Sequence, residues 1–243
     1  MTMNVYKMSD RGLLALARHE GLVPAPYLDV KSVWTFGIGH TAAAGAPDPA
    51  RMPRGMPADL DTAIRESFRL FRADLARYEA EVARAVTVPL APHEFDALVS
   101  FHYNTGAIAR ATLTRLLNAG DRKGAAAAFL NWVKPAAIVP RREAERDLFR
   151  DGRYPGGTIP VWAVDARGRV DFSRPIRSLS VAAALVLLNA GAGPSKAPGR
   201  PPVMSPAAHA PTYTQPAQLA APAARAAWLP RVLTFLTQLL RRS

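Results

Sequence analysis

Two carboxylates and a hydroxyl, Glu20, Asp29 and Thr35, fall within one short stretch, His19 to Thr41, of a chain of 243 residues. Their types and spacing suit glycoside hydrolysis. That reaction needs one carboxylic acid to protonate the leaving oxygen, and a second carboxylate to activate water or stabilise an oxocarbenium-like centre. The acid must stay protonated near neutral pH, so its surroundings must disfavour ionisation. Moving a glutamate from about 4.3 to about 6 takes roughly 2.3 kcal/mol of differential interaction, which partial burial can supply. A blander reading fits the same residues: a solvated helix end followed by an ordinary turn aspartate.

The elements that must position these groups are legible locally. Ser9 is a suitable cap for a helix whose apolar face is Leu13, Leu14, Leu16 and Ala17, and Gly21 is a suitable stop. Glu20 then sits at the helix C-terminus, where the macrodipole disfavours a negative charge. Pro24 and Pro26 prevent the helix from restarting. Tyr27-Leu28 and Val33-Trp34-Thr35-Phe36 are β-favouring runs separated by the turn-like Asp29-Val30-Lys31-Ser32. The pattern predicts a helix handing over to a hairpin, with Glu20, Asp29 and Thr35 facing one cleft. A turn-borne Asp29 is expected to stay wetter and ionised, with the Thr35 hydroxyl placed to hold the attacking water.

Glu20-Gly21, Tyr27-x-Asp29 and Trp34-Thr35-x-Gly37-x-Gly39-His40-Thr41 together resemble the active-site signature of the phage-type lysozymes, glycoside hydrolase family 24. Two later blocks resemble that family as well. One runs from Phe95 to Phe101, through Asn104-x-Gly106, to Thr112-Leu113 and Leu116 to Asp121; the other is Trp132 followed by Arg141 to Phe149. The resemblance covers residues 9–150. It implies an N-acetylmuramidase that cleaves the β-1,4 bond of the peptidoglycan glycan strand, with Glu20 as the acid, Asp29 as the second carboxylate and Thr35 beside the water. It further implies saccharide contacts at Thr41, Tyr103 and Thr112, and an arginine, Arg142, paired with the catalytic glutamate. A cation there favours the ionised acid and opposes the helix-end effect, so the sequence leaves the net direction open. Tyr103 and Thr112 also suit helix packing or capping. The run Arg141 to Asp147, started by Pro140, also suits a solvated helix face with intrahelical pairs. The fold implied is α+β and mainly α: two lobes, a small N-terminal β-hairpin region, a long linking helix, a helical C-terminal lobe and a C-terminal extension. A catalytically silent wall-binding or particle-assembly protein is the alternative, and the intact Glu20, Asp29 and Thr35 set argues against it.

Composition constrains the remainder. Cysteine is absent, which excludes a disulfide frame and a thiolate metal site. His19-Glu20 lacks the second histidine four residues on that a helical zinc site needs, so no metal or other cofactor is expected. His40 reads as a hydrogen-bonded structural residue. The net charge of +12 is uneven: residues 151–243 hold 11 Lys and Arg against 3 Asp, and residues 1–150 hold 20 against 16 acids. Such a basic tail favours polyanions. Its cations are scattered through Pro and Ala without stacking aromatics, which argues against nucleic acid. Met1 to Asp10 has no apolar signal core, so the expectation is synthesis in the cytoplasm and action on the wall after release through a holin-like pore or with a phage-like particle.

Along the chain, Ile64, Phe68, Phe71, Leu75, Tyr78 and Val82 mark one face of a long helix over 59–86. Helices near 92–104, 109–118, 121–132 and 140–149 follow, broken by Asn104-Thr105-Gly106, Asn118-Ala119-Gly120 and Pro135. Val161 to Asp165 and Arg169 to Phe172 form a trailing hairpin that either packs on the body or grips substrate. The lysozyme-like domain is thus placed at 1–178 and an apolar helix at 179–193, too short to span a bilayer. A linker at 194–226 and a basic amphipathic helix at 227–243 complete the division; residues 194–230 hold nine prolines. Three roles are open to the last helix: contact with an anionic membrane, docking on the body, or self-association.

Overall fold

A computed structural model describes residues 6–190 of the chain. The segments 194–226 and 227–243, expected as linker and amphipathic helix, lie outside the described residues.

Helix α1 (Asp10–Glu20) begins where the Ser9 hydroxyl accepts the Gly12 N–H at 3.0 Å, and it stops at Gly21 with φ 74°. Its apolar face is fully buried. Gly12 is required there because a Cβ would lie 2.3 Å from Asp96 Cγ. Asp96 is itself buried and receives bonds from Ser9 and from the Tyr154 hydroxyl.

Three antiparallel strands follow: β1 (Val23–Leu28), β2 (Trp34–Gly37) and β3 (His40–Thr41), in that order across the sheet. Tyr27 pairs with Thr35 and Leu28 with Trp34, and the register shifts between Val23 and Tyr27. That irregular stretch contains Pro24 and Pro26, whose nitrogens have no hydrogen to give the ladder. On the other side Thr35 pairs with Thr41 and Phe36 with His40.

The long helix α2 (Leu60–Ala85) has 26 residues, roughly 39 Å at 1.5 Å per residue. Asp59 caps it through the Thr62 N–H, and the six apolar residues read from the spacing are all buried. Then come α3 (Pro92–Thr105), α4 (Thr112–Asn118), α5 (Arg122–Ala128) and α6 (Val139–Asp151). Gly106 and Gly152, both left-handed, end α3 and α6. The helix expected over 109–118 begins only at Thr112. The one expected over 121–132 ends as a 3-10 turn, Phe129–Trp132, where Phe129 and Trp132 each pack edge-on against Phe101.

The trailing segment is more extensive than one hairpin. Strand β4 (Thr158–Val161) pairs with β7 (Arg177–Ser180), and between them β5 (Ala163–Val164) pairs with β6 (Val170–Asp171). The apolar helix expected from 179 starts at Val181 as α7 (Val181–Ala190), because Leu179 is drawn into β7 opposite Ile159. Helix α7 rests on α1 and α2. Among the described residues no helix is long and apolar enough to cross a membrane.

One core joins α1, α2, α3 and the later helices through Phe68, Phe71, Phe95, Phe101 and Phe129. A second, smaller cluster joins Val23, Ala25 and Tyr27 of β1 to Trp162 and Val164 of the trailing segment, with Val170 and Phe172 packed against it. The architecture is α+β and mainly α.

Candidate active site

Glu20 is the last residue of α1. Its side chain is 9% exposed, and Arg141 Nη1 of α6 donates to its Oε1 at 2.7 Å. This corrects the expectation that Arg142 would be the partner. Successive residues of a helix point about 100° apart, so only one of the two arginines can face α1. Arg142, 1% exposed, turns instead to Asn104 and to Glu145, and lies over the Phe101 ring.

Of the charged run of α6, Arg141, Arg142 and Glu145 are buried, whereas Glu143 is exposed and Arg146 and Asp147 are half-buried. Glu145, 2% exposed, accepts from Arg141 Nε at 2.9 Å, from the Ser100 hydroxyl at 2.7 Å and from Arg142. Arg141 Nη2 reaches the Ser100 carbonyl at 3.2 Å. One guanidinium thus serves two buried carboxylates. Burial pushes the Glu20 carboxyl above its ordinary pKa of 4.5; the Arg141 charge and hydrogen bond pull it down, and Glu145 pushes it up again. The outcome is upward. Burial is the largest cause of that shift.

Asp29 follows β1 directly. Its N–H donates to the Val33 carbonyl, and its Oδ1 accepts from the backbone N–H of Lys31 at 2.8 Å and of Val33 at 2.9 Å. Ser32, with φ 59°, completes a turn tight enough to place one non-glycine residue in the left-handed region. The side chain is half-buried. The turn that fixes the chain direction also fixes this carboxylate.

Thr35 is buried in the middle of the sheet, and its hydroxyl donates to the Val33 carbonyl at 3.1 Å, leaving oxygen lone pairs to accept. Thr41 is its buried cross-strand neighbour. Tyr103 reaches from α3 to the β2–β3 turn, where its hydroxyl donates to the Ile38 carbonyl at 3.3 Å. Burial raises its phenol well above the usual range, and the charges of Glu20, Asp74 and the Tyr78 and Tyr27 phenols act in the same direction. Thr112 stands apart as the exposed first residue of α4.

His40 holds the sheet to α2: Nδ1 lies 2.9 Å from Asp74 and Nε2 lies 3.0 Å from the Pro47 carbonyl. Among the described residues no three His, Cys, Asp or Glu side chains converge as a metal site requires. The residues that sequence reasoning passed over are Arg141, Glu145 and Ser100. The signal for the first two was present, since positions four apart on a helix share a face.

A model of the phage lysozyme family matches residues 17–145, a span that includes Glu20, Asp29, Thr35, Arg141 and Glu145. The chain belongs to the phage lysozyme family. The endolysin of Salmonella phage P22 is 36% identical over 149 residues, which is 59% of this chain and 97% of the relative. Among solved structures, the endolysin from Escherichia coli O157:H7 phage FAHEc1 superposes with a TM-score of 0.53 at 31% identity, over 61% of this chain and 96% of that one. The muramidase domain of SpmX from Asticaccaulis excentricus superposes with a TM-score of 0.50 at 29% identity, over 60% and 98%. This lysozyme is thus a cell-wall-lysing hydrolase, and its residues 146–190 lie beyond the span that the family model matches.

Proposed function

We propose that this lysozyme hydrolyses the β-1,4 bond between N-acetylmuramic acid and N-acetylglucosamine in peptidoglycan. Glu20 is the general acid that protonates the leaving oxygen, Asp29 is the second carboxylate, and the Thr35 hydroxyl accepts a hydrogen bond from the water that attacks. The observation that carries this reading is the buried Glu20 carboxyl at the end of α1, bonded to an Arg141 that is shared with Glu145. An undivided arginine would favour the ionised acid and spoil it as a proton donor.

Saccharide contact is assigned to Thr41, Tyr103 and Thr112, of which Thr112 is exposed and the other two are buried. Arg142 has no part in that contact, since it is buried and occupied by Glu145 and Asn104.

Digestion of purified peptidoglycan, followed by borohydride reduction and mass analysis, tests the bond assignment. The expected product is glycan with reducing N-acetylmuramic acid ends. Reducing N-acetylglucosamine ends, or peptide cleavage, would refute it. Glu20→Gln should lower the rate by about 10²–10⁴-fold, the span of one positioned acid. A variant that clears walls at the parental rate would return the chain to the class of wall-binding proteins.

A further inference from the structure

Strand β1 carries Asp29 at its end, and β2 carries Thr35. The outer edge of β1 is not left open. Leu22 bridges to Val161, with its N–H on the Pro160 carbonyl at 3.1 Å and its carbonyl receiving the Trp162 N–H at 2.9 Å. Farther along, the N–H of Leu28, the residue before Asp29, donates to the Gly168 carbonyl at 2.8 Å. All of these acceptors and donors beyond β1 lie outside the span matched by the family.

Gly168 touches the second strand too. It has φ 79°, and a Cβ there would lie 2.6 Å from Trp34 Cζ3, 2.7 Å from Trp34 Cη2 and 3.3 Å from the Leu28 nitrogen. Trp34 precedes Thr35 and pairs with Leu28. The Arg54 guanidinium lies 3.5 Å from the Trp34 ring centroid, so the indole is held by a cation as well as by Gly168. The turn presenting Gly168 is itself fixed: Asp165 Oδ1 accepts from the N–H of Arg167 and of Arg169, each at 2.9 Å, and Arg169 Nε donates to Asp165 Oδ2 at 2.7 Å. Beneath it, Trp162 and Val164 pack on Val23, Ala25 and Tyr27.

We propose that the turn Asp165–Arg169 is a positioning element of the active site. Gly168, through its carbonyl on the Leu28 N–H and its contact with the Trp34 ring, sets the register of the two strand ends that present Asp29 and Thr35. The proposal rests on the catalytic reading of those two residues. A misplacement of about 1 Å in a catalytic group costs on the order of 10²-fold in rate, so a displaced turn acts on turnover and leaves the fold standing.

The test uses the full-length chain and four variants: Gly168→Ala, Arg167→Ala, Trp34→Leu, and Gly168→Ala combined with Trp34→Leu. Gly168→Ala is expected to lose at least about tenfold in kcat when assayed well below its melting temperature, with KM on soluble glycan little changed and melting lowered by the strain of a methyl at φ 79°. Arg167→Ala, exposed on the same turn, should match the parent. The double variant should be more active than Gly168→Ala alone, because the smaller side chain makes room for the added methyl; such coupling marks contact between the two sites. Should Gly168→Ala not fold, Asp165→Ala loosens the turn without adding an atom and should show the same fall in kcat. Parental kcat in the glycine variant, or an activity loss that tracks melting and is not recovered in the double variant, would overturn the proposal. Asp29→Asn is assayed alongside. If Asp29→Asn is inactive while Gly168→Ala is fully active, the positioning role alone fails; if Asp29→Asn is fully active, the catalytic reading fails with it.

Discussion

Replacing Glu145 by glutamine removes one negative charge from the centre of a buried network and leaves its shape intact. In the parent, Glu145 answers Arg141 at 2.9 Å, Ser100 at 2.7 Å and Arg142, at 2% exposure. The variant leaves Glu20 as the one carboxylate bonded to the buried Arg141, and leaves the buried Arg142 with the Asn104 side-chain oxygen. Removing one partner of a buried pair costs about 3–5 kcal/mol, and the retained amide oxygen, still able to accept one bond, places this variant at about 3 kcal/mol. For a chain of this size about 1 kcal/mol corresponds to roughly 2–4 °C, so melting should fall by about 6–12 °C. The effect on catalysis has a definite sign. Glu145 pushes the Glu20 pKa up, and its charge also divides the hold of Arg141. Without that charge Glu20 gives up its proton at lower pH, and the alkaline limb of the kcat/KM profile moves to lower pH. Scanning calorimetry and a pH–rate profile on purified peptidoglycan read both effects. Melting within about 2 °C of the parent, together with an unmoved alkaline limb, would refute the reasoning.

Burial, followed by the charges of Arg141, Arg18 and Arg142, holds the His19 pKa well below its ordinary 6.5. The unfolded chain therefore takes up a proton near that pH which the folded chain refuses, so the contribution of neutral His19 is present above 6.5 and lost as the pH falls. Melting measured from pH 7 down to pH 5 should decline less steeply in His19→Gln than in the parent; identical slopes would count against this. Gly12→Ala, which at an open helix position stabilises by about 1 kcal/mol, should here destabilise by about 1–3 kcal/mol, because the methyl meets the Asp96 carboxylate. Urea unfolding gives the sign, and a stabilised variant would contradict the packing described.

Local chemistry made much of the site legible. The cap at Ser9, the stop at Gly21 and the prolines at 24 and 26 place Glu20 at the end of a helix ahead of a hairpin, and the structure has this arrangement. The face of α2 followed from its spacing. What failed was whatever depends on distant partners. Whether Arg141 or Arg142 meets Glu20 turns on the rotation of α6 against α1, residues more than a hundred positions apart, and a one-residue offset reverses the answer. The burial of Arg141, Arg142 and Glu145 was hidden because charge usually marks a surface. The β4–β7 pair was hidden because each strand has only four residues, and Leu179 leads into a continuous apolar run that reads as helix.

Burial raises the pKa of Glu20 above its ordinary value despite a bound arginine. Carbon-detected NMR of the Glu20 carboxyl through a pH titration, assigned by its disappearance in Glu20→Gln, measures this directly. The expected midpoint is displaced upward from the ordinary glutamate value of 4.5. A midpoint at or below that value would mean that Arg141 prevails over burial, and Glu20 could not serve as the acid.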